Sequence, residues 1–399
     1  MAVMRPMPAE AGTTRTVPPG ATLGMVGGGQ LGRMFALTAA RMGYRVRVFC
    51  QDATEPAAQV APEVVTGSFT DEGLAERFAR GCAVITLEFE NLPASTMEAC
   101  GRHAPTYPSA TVLQIAQDRL LEKTTLRDAG LPVTPFAEVG DPGSPHHPGS
   151  LRRIGAALGW PLIVKTARSG YDGKGQYRVA SPQDAEGVPW EAADRWVAET
   201  RVDFDRELSV IVARTPSGRT ETFPVFENVH VNHILDATLL PAGVPDALAA
   251  QARQIAIRAA ERLQVVGLLC VEFFVVGGRL MINEVAPRPH NSGHVTIEAC
   301  ATSQFEQQLR AICDLPLGST RLIAGGAAMV NLLGDLWPEP DVSPRWDASL
   351  GVEGVRLHLY GKRAAQAGRK MGHMTALGDD PAEALRRVRM ARDRCRGRA

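Results

Sequence analysis

A glycine-rich turn that directly follows an apolar strand restricts the fold of this chain more than any other segment. Residues Thr22–Val26 predict a strand, and Gly27–Gly32 lead from it into a helical pattern. The next strand signals are Arg45–Phe49 and Ala83–Glu88, with a predicted helix at Asp71–Ala79 between them. Strands that alternate with helices are typical of a doubly wound parallel sheet. We therefore predict such a sheet at the start of the chain.

The same turn matches the spacing of a dinucleotide-binding fingerprint. Gly27, Gly29 and Gly32 form GxGxxG, and Asp52 lies twenty residues beyond the last glycine. Glycine lets the backbone turn tightly and approach an anion at a helix N-terminus, so a phosphate or a carboxylate would also suit this place. Gln30 adds a long amide. Two interpretations stay open, a dinucleotide site and a plain strand–helix turn, but no later segment resembles a dehydrogenase catalytic domain.

A second glycine-rich segment lies between two predicted strands. The strand Leu162–Thr166 is apolar except for Lys165, and the loop 168–176 (RSGYDGKGQ) follows it. Glycines interspersed with cationic residues give a flexible loop with backbone N–H donors and positive charge, which suits the phosphates of a nucleoside triphosphate. The loop is not a P-loop, because no helix follows and the GxxxxGK[ST] order is absent. A solvated polar hairpin is the other interpretation. It is weakened because a lysine in an apolar strand needs a partner such as a phosphate.

Two carboxylates lie in a predicted β-hairpin further along the chain. Its strands, residues 267–276 and 279–284, flank a Gly-Gly pair. Glu272 interrupts a long apolar run, and Glu284 ends the return strand. The other interpretation is that both are surface glutamates without a function, but the apolar setting argues against it. With Asn283, these side chains offer the hard oxygen ligands that Mg²⁺ prefers. The sequence therefore predicts a magnesium site on this hairpin.

The register of this hairpin is itself predictable. A strict two-residue turn pairs Val276 with Arg279, which sets Glu272 opposite Asn283 and turns Glu284 to the other face. Both carboxylates share a face only if one extra residue is accommodated. We predict a glycine-type bulge in the turn that does so.

The loop after the hairpin carries several polar side chains that point to phosphate chemistry. Arg288, His290 and Asn291 follow the predicted metal ligands within a few residues. Positive charge and hydrogen-bond donors at that place would stabilise a phosphoryl group in transfer. His290 and His294 have the i, i+4 spacing of zinc ligands, but no third ligand is evident, so we do not predict zinc.

Composition excludes several classes of protein. The 399 residues carry 43 basic and 43 acidic side chains, so no overall field attracts nucleic acid or an anionic membrane. The seven cysteines lie far apart without a CxxC pair, which favours a reducing compartment and predicts no disulfide framework, zinc site or reactive cysteine. No uncharged apolar run reaches the ~18–20 residues that span a bilayer. We predict a soluble, cytoplasmic protein.

Changes in texture along the chain predict a leader and three domains. Residues 1–20 are proline-rich and predict a flexible leader, and residues 21–108 contain the doubly wound parallel sheet. Residues 109–323 begin with one or two helices and continue as a two-lobed, β-rich region with helices near 245–263 and 297–312. Loop residues fill 140–150. Residues 324–399 predict a small β-rich domain of short strands and turns with a basic end.

Six segments together resemble the ATP-grasp superfamily. They are GGGQLGRM (27–34), EFENLP (88–93), QDRLLEK (117–123), KTARSGYDGKGQ (165–176), INEVAPRPHNSGH (282–294) and GRKMGH (368–373). Within that superfamily the chain closely resembles the family of 5-(carboxyamino)imidazole ribonucleotide synthases, from about residue 22 to about residue 375. The resemblance implies an ATP-grasp fold of mixed α/β and α+β class, with ATP between two lobes of the central domain.

The resemblance also implies roles for individual residues. ATP would contact Arg119, Lys165, Gly170, Tyr171, Asp172, Gly173, Lys174, Gly175, Gln176, Glu199, Thr200, Arg201, Val202, Glu207, His230, Asn283 and Glu284. Glu272 and Glu284 would hold Mg²⁺. The catalytic set would be Lys165, Tyr171, Asp172, Arg288, His290 and Asn291. The imidazole ribonucleotide would contact Gln30, Glu88, Asn91, Lys362, Arg369 and Lys370, although the last three also suit a solvated basic edge.

The activity implied by the resemblance is ATP-dependent carboxylation of aminoimidazole ribonucleotide with bicarbonate, by a homodimer. Carboxyphosphate would be the intermediate. Three alternatives stay open at this point. One is another ATP-grasp ligase, such as formate-dependent glycinamide ribonucleotide transformylase or a biotin-carboxylase-like enzyme. The others are an NAD(P)-dependent oxidoreductase that uses Gly27–Gly32 and a nucleotide-binding regulatory module without turnover.

Overall fold

The computed structural model describes residues 16–140, 147–168, 175–339 and 342–396. The helices in these ranges are α1 (Gln30–Arg41), α2 (Glu72–Ala79), α3 (Ala94–Gly101), α4 (Ala110–Ala116), α5 (Arg119–Asp128), α6 (His147–Leu158), α7 (Asp246–Arg262), α8 (Thr296–Ala299), α9 (Gln304–Ile312), α10 (Trp346–Leu350) and α11 (Pro381–Cys395). None of these helices is long and apolar enough to cross a membrane.

The strands form three sheets. They are β1 (Thr22–Val26), β2 (Arg45–Cys50), β3 (Glu63–Thr66), β4 (Val84–Leu87), β5 (Thr106–Tyr107), β6 (Phe136–Val139), β7 (Leu162–Thr166), β8 (Gln176–Val179), β9 (Trp196–Thr200), β10 (Arg206–Arg214), β11 (Thr220–Thr222), β12 (Phe226–Val231), β13 (Ile234–Leu240), β14 (Gly267–Val276), β15 (Arg279–Ala286), β16 (Gly326–Leu333), β17 (Val355–Leu359) and β18 (Lys370–Gly378).

The first sheet is parallel, with the order β3-β2-β1-β4-β5. This confirms the doubly wound sheet predicted from the alternation of strands and helices. The order reverses between β1 and β4, and a ligand crevice is expected beyond the carboxyl ends of such a pair of strands. Gly27 follows β1 and Glu88 follows β4. The crevice therefore lies between these two residues.

The second sheet is antiparallel and has the order β6-β9-β7-β8. Its buried face packs around Trp196, Leu162 and Val164 against α6. Lys165 on β7 and Glu199 on β9 lie on neighbouring strands, since Ile163 pairs with Glu199 and Lys165 with Val197. This sheet forms one lobe of the central region.

The third sheet is larger and runs through both the central and the last part of the chain. Within the described residues it has nine strands, in the order β15-β14-β10-β12-β13-β16-β18-β17, with β11 on β10. β13 pairs with β16, so the sheet is continuous across the domain boundary predicted near residue 324. The division into a leader and three domains therefore stays a prediction, with the last two joined by hydrogen-bonded strands.

The last part of the chain contains a long helix that the sequence analysis missed. α11 begins after Asp380, whose side chain accepts a hydrogen bond from Glu383 N. Its buried positions Ala384, Val388 and Ala391 pack against the strands of the third sheet. Small and sparse apolar residues among many arginines hid this stripe. The prediction of only short strands and turns after residue 324 was wrong in this respect.

Three smaller predictions also needed correction. The loop predicted for 140–150 ends earlier than expected, because α6 begins at His147, while 141–146 lie outside the described residues. The helix predicted near 297–312 is two helices, α8 and α9, separated around Cys300. In the predicted leader, residues 16–20 are described, and Val17 N donates to Cys313 O at 3.0 Å. This end of the leader is held against the body of the protein.

Candidate active site

A cleft of about 1220 Å³ collects residues from helix and loop segments of the first domain and from the second and third sheets. The predicted site residues that line it are Gln30, Glu88, Asn91, Arg119, Lys165, Gln176, Glu199, Thr200, Arg201, Val202, Glu207, His230, Glu272, Asn283, Glu284, Arg288, His290, Asn291 and Lys370. Lys362, Arg369 and Gly175 do not line it. Gly170, Tyr171, Asp172, Gly173 and Lys174 lie outside the described residues. Segments far apart in sequence therefore meet in one cavity.

One wall of the cleft is built around a buried carboxylate between two ammonium groups. Glu199 lies 3.2 Å from Lys123 Nζ and 3.1 Å from Lys165 Nζ. Thr134 Oγ1 also donates to Glu199, and Lys123 Nζ donates to Asn283 O at 2.9 Å. Although burial alone would raise it, the two ammonium groups lower the pKa of Glu199 to about 2. The partner of Lys165 is thus a carboxylate. The ammonium group of Lys165 still reaches the surface of the cleft.

The third sheet contributes the two carboxylates of the β14–β15 hairpin to the cleft. Glu272 pairs directly with Glu284, so both lie on one face of the sheet, as predicted with a bulge. The predicted position of the bulge was wrong. Val276 pairs with Arg279 across the Gly-Gly turn, and the irregularity follows Glu272, at Asn283 on the other strand.

The reason for this position is the conformation of the turn. Gly277 and Gly278 have φ values of 52° and 75°, which suits a strict two-residue type I′ turn. The turn therefore has no need of an extra residue. Burial of the Glu284 carboxylate, together with the neighbouring Glu272 charge, raises the pKa of Glu284. A divalent cation between the two carboxylates would relieve that repulsion.

His290 is bound between Glu272 and a serine network. Its Nε2 lies 2.9 Å from Glu272 Oε1, and its Nδ1 lies 2.8 Å from Ser292 Oγ. Ser292 Oγ in turn is 2.9 Å from Ser209 Oγ. Although burial opposes the charged form, Cys270 and the Glu272 carboxylate raise the pKa of His290 to about 10. The imidazole is therefore cationic and held in one orientation.

Arg288 is held by a carboxylate from the first domain. Glu90 accepts from Arg288 Nε and, at 2.8 Å, from Nη2, while Arg288 Nη1 donates to Pro289 O at 3.1 Å. Two parallel N–H···O bonds fix the guanidinium plane. Although burial opposes its charge, Glu90 raises the pKa of Arg288. Since only one edge of the guanidinium is used by Glu90, the outer edge can face a second anion.

Glu88 explains the glycine-rich turn. Its carboxylate accepts hydrogen bonds from Gly29 N and, at 2.9 Å, from Gly32 N, at the N-terminus of α1. A Cβ atom at Gly27 or Gly29 would collide with the Glu88 side chain, and Gly27 has a φ of 110°. The protein's own carboxylate therefore occupies the position that a dinucleotide pyrophosphate would need. This geometry opposes an NAD(P) site at Gly27–Gly32.

Three cations lie near one another next to Glu88, and of these only Lys370 lines the cleft. Lys362 Nζ donates to Lys370 O at 2.7 Å and lies over the Tyr360 ring. Burial, followed by the charges of Arg369 and Lys370, lowers the pKa of Lys362 to about 8, while Glu88 opposes the shift. Arg369 is exposed and donates to a backbone carbonyl. Clustered like charges of this kind favour a bound anion.

The opposite end of the cleft is apolar and suits a base and a sugar. Phe204 and Phe274 stack with their ring centroids 4.6 Å apart, and both line the cleft with Val202. Close by, Glu207 contacts His230 Nδ1. Burial alone would lower the pKa of His230, but the Glu207 carboxylate raises it. The aromatic pair was not predicted from the sequence.

Other residues of the site were missed as well. Lys123 interrupts the apolar stripe of α5, three residues from both Leu120 and Leu126, and that position was a usable signal. Glu90 gave none, because its partner Arg288 is 198 residues away in the sequence. Cys270 was set aside as a small hydrophobe. It lies beside Glu272 and His290, a proximity that the sequence did not indicate.

Comparisons with known proteins agree with this architecture. Three family models match the chain: an ATP-grasp domain at residues 124–305, a ribonucleotide synthetase preATP-grasp domain at 20–117 and a phosphoribosylaminoimidazole carboxylase C-terminal domain at 327–387. The fold and its cleft therefore define an ATP-grasp ligase.

Similar whole proteins narrow the class. The chain is 42% identical to the N5-carboxyaminoimidazole ribonucleotide synthase of Brucella melitensis, over 90% of this chain and 97% of that protein. It is 39% identical to the same-named protein of Bacillus subtilis, over 90% and 91%. It also spans 37% of the length of the bifunctional purine synthesis protein purC/E of Dictyostelium discoideum, at 38% identity.

A solved structure has the same fold. The Aspergillus clavatus N5-carboxyaminoimidazole synthase, in complex with ADP and 5-aminoimidazole ribonucleotide, superposes with a TM-score of 0.84. It is 32% identical, over 94% of this chain and 98% of that one. This chain belongs to the N5-carboxyaminoimidazole ribonucleotide synthase family.

Proposed function

We propose that this protein carboxylates 5-aminoimidazole ribonucleotide with ATP and bicarbonate, in purine biosynthesis. One observation carries the proposal. A single cleft holds a cationic cluster with Lys165, the carboxylate pair Glu272 and Glu284, and a crevice at Glu88 near three cations. Membership of the family, and the ADP and ribonucleotide named for the Aspergillus clavatus structure, support the choice of substrates.

ATP binds between the second and third sheets. The apolar end near Phe204 takes the adenine, and Glu207 the ribose hydroxyls. Lys165 meets the phosphates, because its ammonium group reaches the cleft while Glu199 holds it in place. The other nucleotide residues that line this part of the cleft are Arg119, Gln176, Thr200, Arg201, Val202, His230 and Asn283. The roles implied for Gly170–Lys174 concern residues outside the described structure.

Glu272 and Glu284 fit a magnesium ion. Both offer carboxylate oxygens on one face of the hairpin, and Asn283 is next to them. Hard oxygen ligands of this kind suit Mg²⁺, which keeps contacts to substrate phosphates. When bound, Mg²⁺ supplies neutralisation of phosphate charge during transfer. Burial and the neighbouring Glu272 raise the pKa of Glu284, and a cation bound at this place would stabilise both carboxylates in their charged form.

Bicarbonate binds beside Arg288, His290 and Asn291. Both side-chain polar atoms of Asn291 are buried without a hydrogen-bond partner among the described residues, although the residue lines the cleft. Its amide therefore offers two donors and one acceptor, which match the oxyanion and the hydroxyl of bicarbonate. The outer edge of Arg288 and the cationic His290 add positive charge.

The reaction proceeds in two displacements. A bicarbonate oxygen attacks the γ-phosphorus of ATP, the bond to ADP breaks, and carboxyphosphate forms. The exocyclic amine of the ribonucleotide then attacks the carboxyl carbon, inorganic phosphate leaves, and the amine loses a proton. The side chains of the cleft position the reactants, stabilise negative charge and exclude water.

The ribonucleotide binds in the first-domain crevice. Gln30, Glu88 and Asn91 line it, and the nearby Lys362, Arg369 and Lys370 supply the positive charge that a 5′-phosphate needs. The closest alternatives are other ATP-grasp ligases, which differ in the acceptor. From the family we also propose a homodimer in the cytoplasm, which sedimentation of the purified protein and fractionation of cells would test.

A coupled ADP-release assay tests the function. We expect ADP release that requires Mg²⁺, bicarbonate and aminoimidazole ribonucleotide together, and no stimulation by formate with glycinamide ribonucleotide, by biotin or by NADH. Glu284→Gln should abolish turnover while ATP still binds. Glu261→Gln, on the exposed face of α7, is the matched control and should retain full activity. Stimulation by another acceptor, or full activity of Glu284→Gln, would refute the proposal.

A further inference from the structure

Three potential metal ligands of different chemistry lie together below the hairpin. The ligand atoms of Cys270, Glu272 and His290 are all within 4.8 Å of one another. Cys270 and Glu272 are two residues apart on β14, so their side chains leave the same face of the sheet. His290 reaches them from the following loop. A thiol, an imidazole and a carboxylate are the three ligand types that zinc uses in proteins.

The geometry of His290 suits coordination. Its Nε2 faces Glu272 Oε1 at 2.9 Å, where an ion would replace the shared hydrogen bond. Its other nitrogen, Nδ1, is held by Ser292 Oγ at 2.8 Å, and Ser209 Oγ supports that hydroxyl. Metal-binding histidines commonly have such a partner on the second nitrogen, because it fixes the orientation of the ring.

The position of the three residues allows entry from one side. Glu272 and His290 line the cleft, and their side chains are 17% and 15% exposed. Cys270 is fully buried behind them. An ion entering from the cleft would meet the two partly exposed ligands first and the sulfur last.

We propose that Cys270, Glu272 and His290 form a site for a thiophilic divalent cation such as Zn²⁺. The site shares Glu272 with the proposed magnesium pair but differs from it in chemistry. Magnesium prefers oxygen ligands, whereas thiolate and imidazole select zinc and its neighbours in the first transition series. Occupation by Zn²⁺ takes Glu272 away from Mg²⁺. That consequence, inhibition of turnover, rests on the proposed function, whereas the binding itself does not.

Titration of the metal-free protein with Co²⁺ tests the site. Cobalt bound to a thiolate gives a near-ultraviolet charge-transfer band. We expect this band to saturate at one ion per chain and to disappear when Zn²⁺ is added. Cys270→Ser should lose the band, and His290→Gln should lower the affinity roughly 100-fold. Ser292→Ala, which removes only the support of His290, should lower it about tenfold.

Cys300→Ala is the matched control, because Cys300 is also buried but lies outside this cluster. It should leave the band unchanged. Far-ultraviolet circular dichroism of each variant separates loss of binding from loss of fold. The proposal is wrong if wild-type protein gives no band, or if the band survives in Cys270→Ser. If Zn²⁺ binds as expected but leaves ADP release unaffected, the site stands and its link to the proposed magnesium pair fails.

Discussion

Glu199 lies between two buried ammonium groups. Among the described residues it is the only carboxylate within salt-bridge distance of either one, and replacing it by glutamine removes that negative charge. Lys123 and Lys165 lie 3.2 and 3.1 Å from this carboxylate, and their side chains are only 2% and 10% exposed. The pKa of Lys123 is already lowered, because burial outweighs its partner and Lys165 repels it. Without Glu199 the largest favourable contribution is lost, and only the weaker effect of Glu122 on Lys123 remains among the described interactions of that lysine. Breaking a buried pair from one side typically costs 3–5 kcal/mol.

The pKa of Glu199 gives an independent magnitude. It falls from 4.5 to about 2 on folding, because the two ammonium groups overcome the effect of burial. A shift of this size corresponds to roughly 3 kcal/mol of charge-dependent stability. Since the folded pKa is the lower one, this stability is present above about pH 4.5 and is lost as the pH falls toward 2. The difference between wild type and Glu199→Gln should therefore be about 3 kcal/mol at pH 7 and should shrink below pH 4.5.

Tryptophan fluorescence during urea unfolding measures this difference, because Trp160, Trp190 and Trp196 all belong to the core of the same lobe. Glu186→Gln is the matched control. Glu186 pairs with Arg152 in that lobe, but both side chains are largely exposed, so its loss should cost under about 1 kcal/mol. Equal stability of the two variants at pH 7 would refute the reasoning. So would a difference that stays constant on acidification.

Two further predictions concern other parts of the molecule. Asn291→Ala should raise the KM for bicarbonate about 10-fold, as expected for about 1–3 kcal/mol of lost hydrogen bonding, and leave the KM for ATP unchanged in steady-state assays; an unchanged bicarbonate KM contradicts the assignment. Burial, with the charges of neighbouring histidines, holds the pKa of His294 and of His373 well below 6.5, so stability should fall as the pH drops below 6.5, where the unfolded chain binds protons that the folded chain excludes. His373→Gln should weaken that fall in melting curves from pH 7.5 to 5.5, and a fall as steep as that of wild type would contradict this explanation.

Local patterns predicted the first domain and the hairpin well. Strand Thr22–Val26 has the bounds that its apolar run indicated, and the face shared by Glu272 and Glu284 followed from the period of a strand. The position of the bulge did not follow, because the conformational freedom of the Gly-Gly turn removed the reason to place it there. The lysine in strand β7 correctly indicated a buried partner, but the sequence could not show that Glu199 is that partner.

What the sequence could not supply is contact over long separations. The pairing of Glu90 with Arg288 and the meeting of Lys123 with Glu199 depend on how whole sheets pack, and no local pattern encodes them. Helix α11 was not predicted for a different reason. Its buried stripe is made of small residues in a highly charged segment, so periodicity was weak. Residues that bring domains together are therefore the hardest part of such a site to predict.

In both the glycine-rich turn and the cleft, a carboxylate of the protein balances a nearby positive charge or a helix N-terminus. Glu88 fills the anion position at the N-terminus of α1, and Glu90 matches Arg288. Across the cleft, however, the charges do not balance locally. Glu199 meets two ammonium groups on one wall, while Glu284 faces the like charge of Glu272 on the other. A cleft that contains both an excess of positive charge and an excess of negative charge is stabilised by a ligand that carries both signs, and a nucleoside triphosphate with its divalent cation is such a ligand.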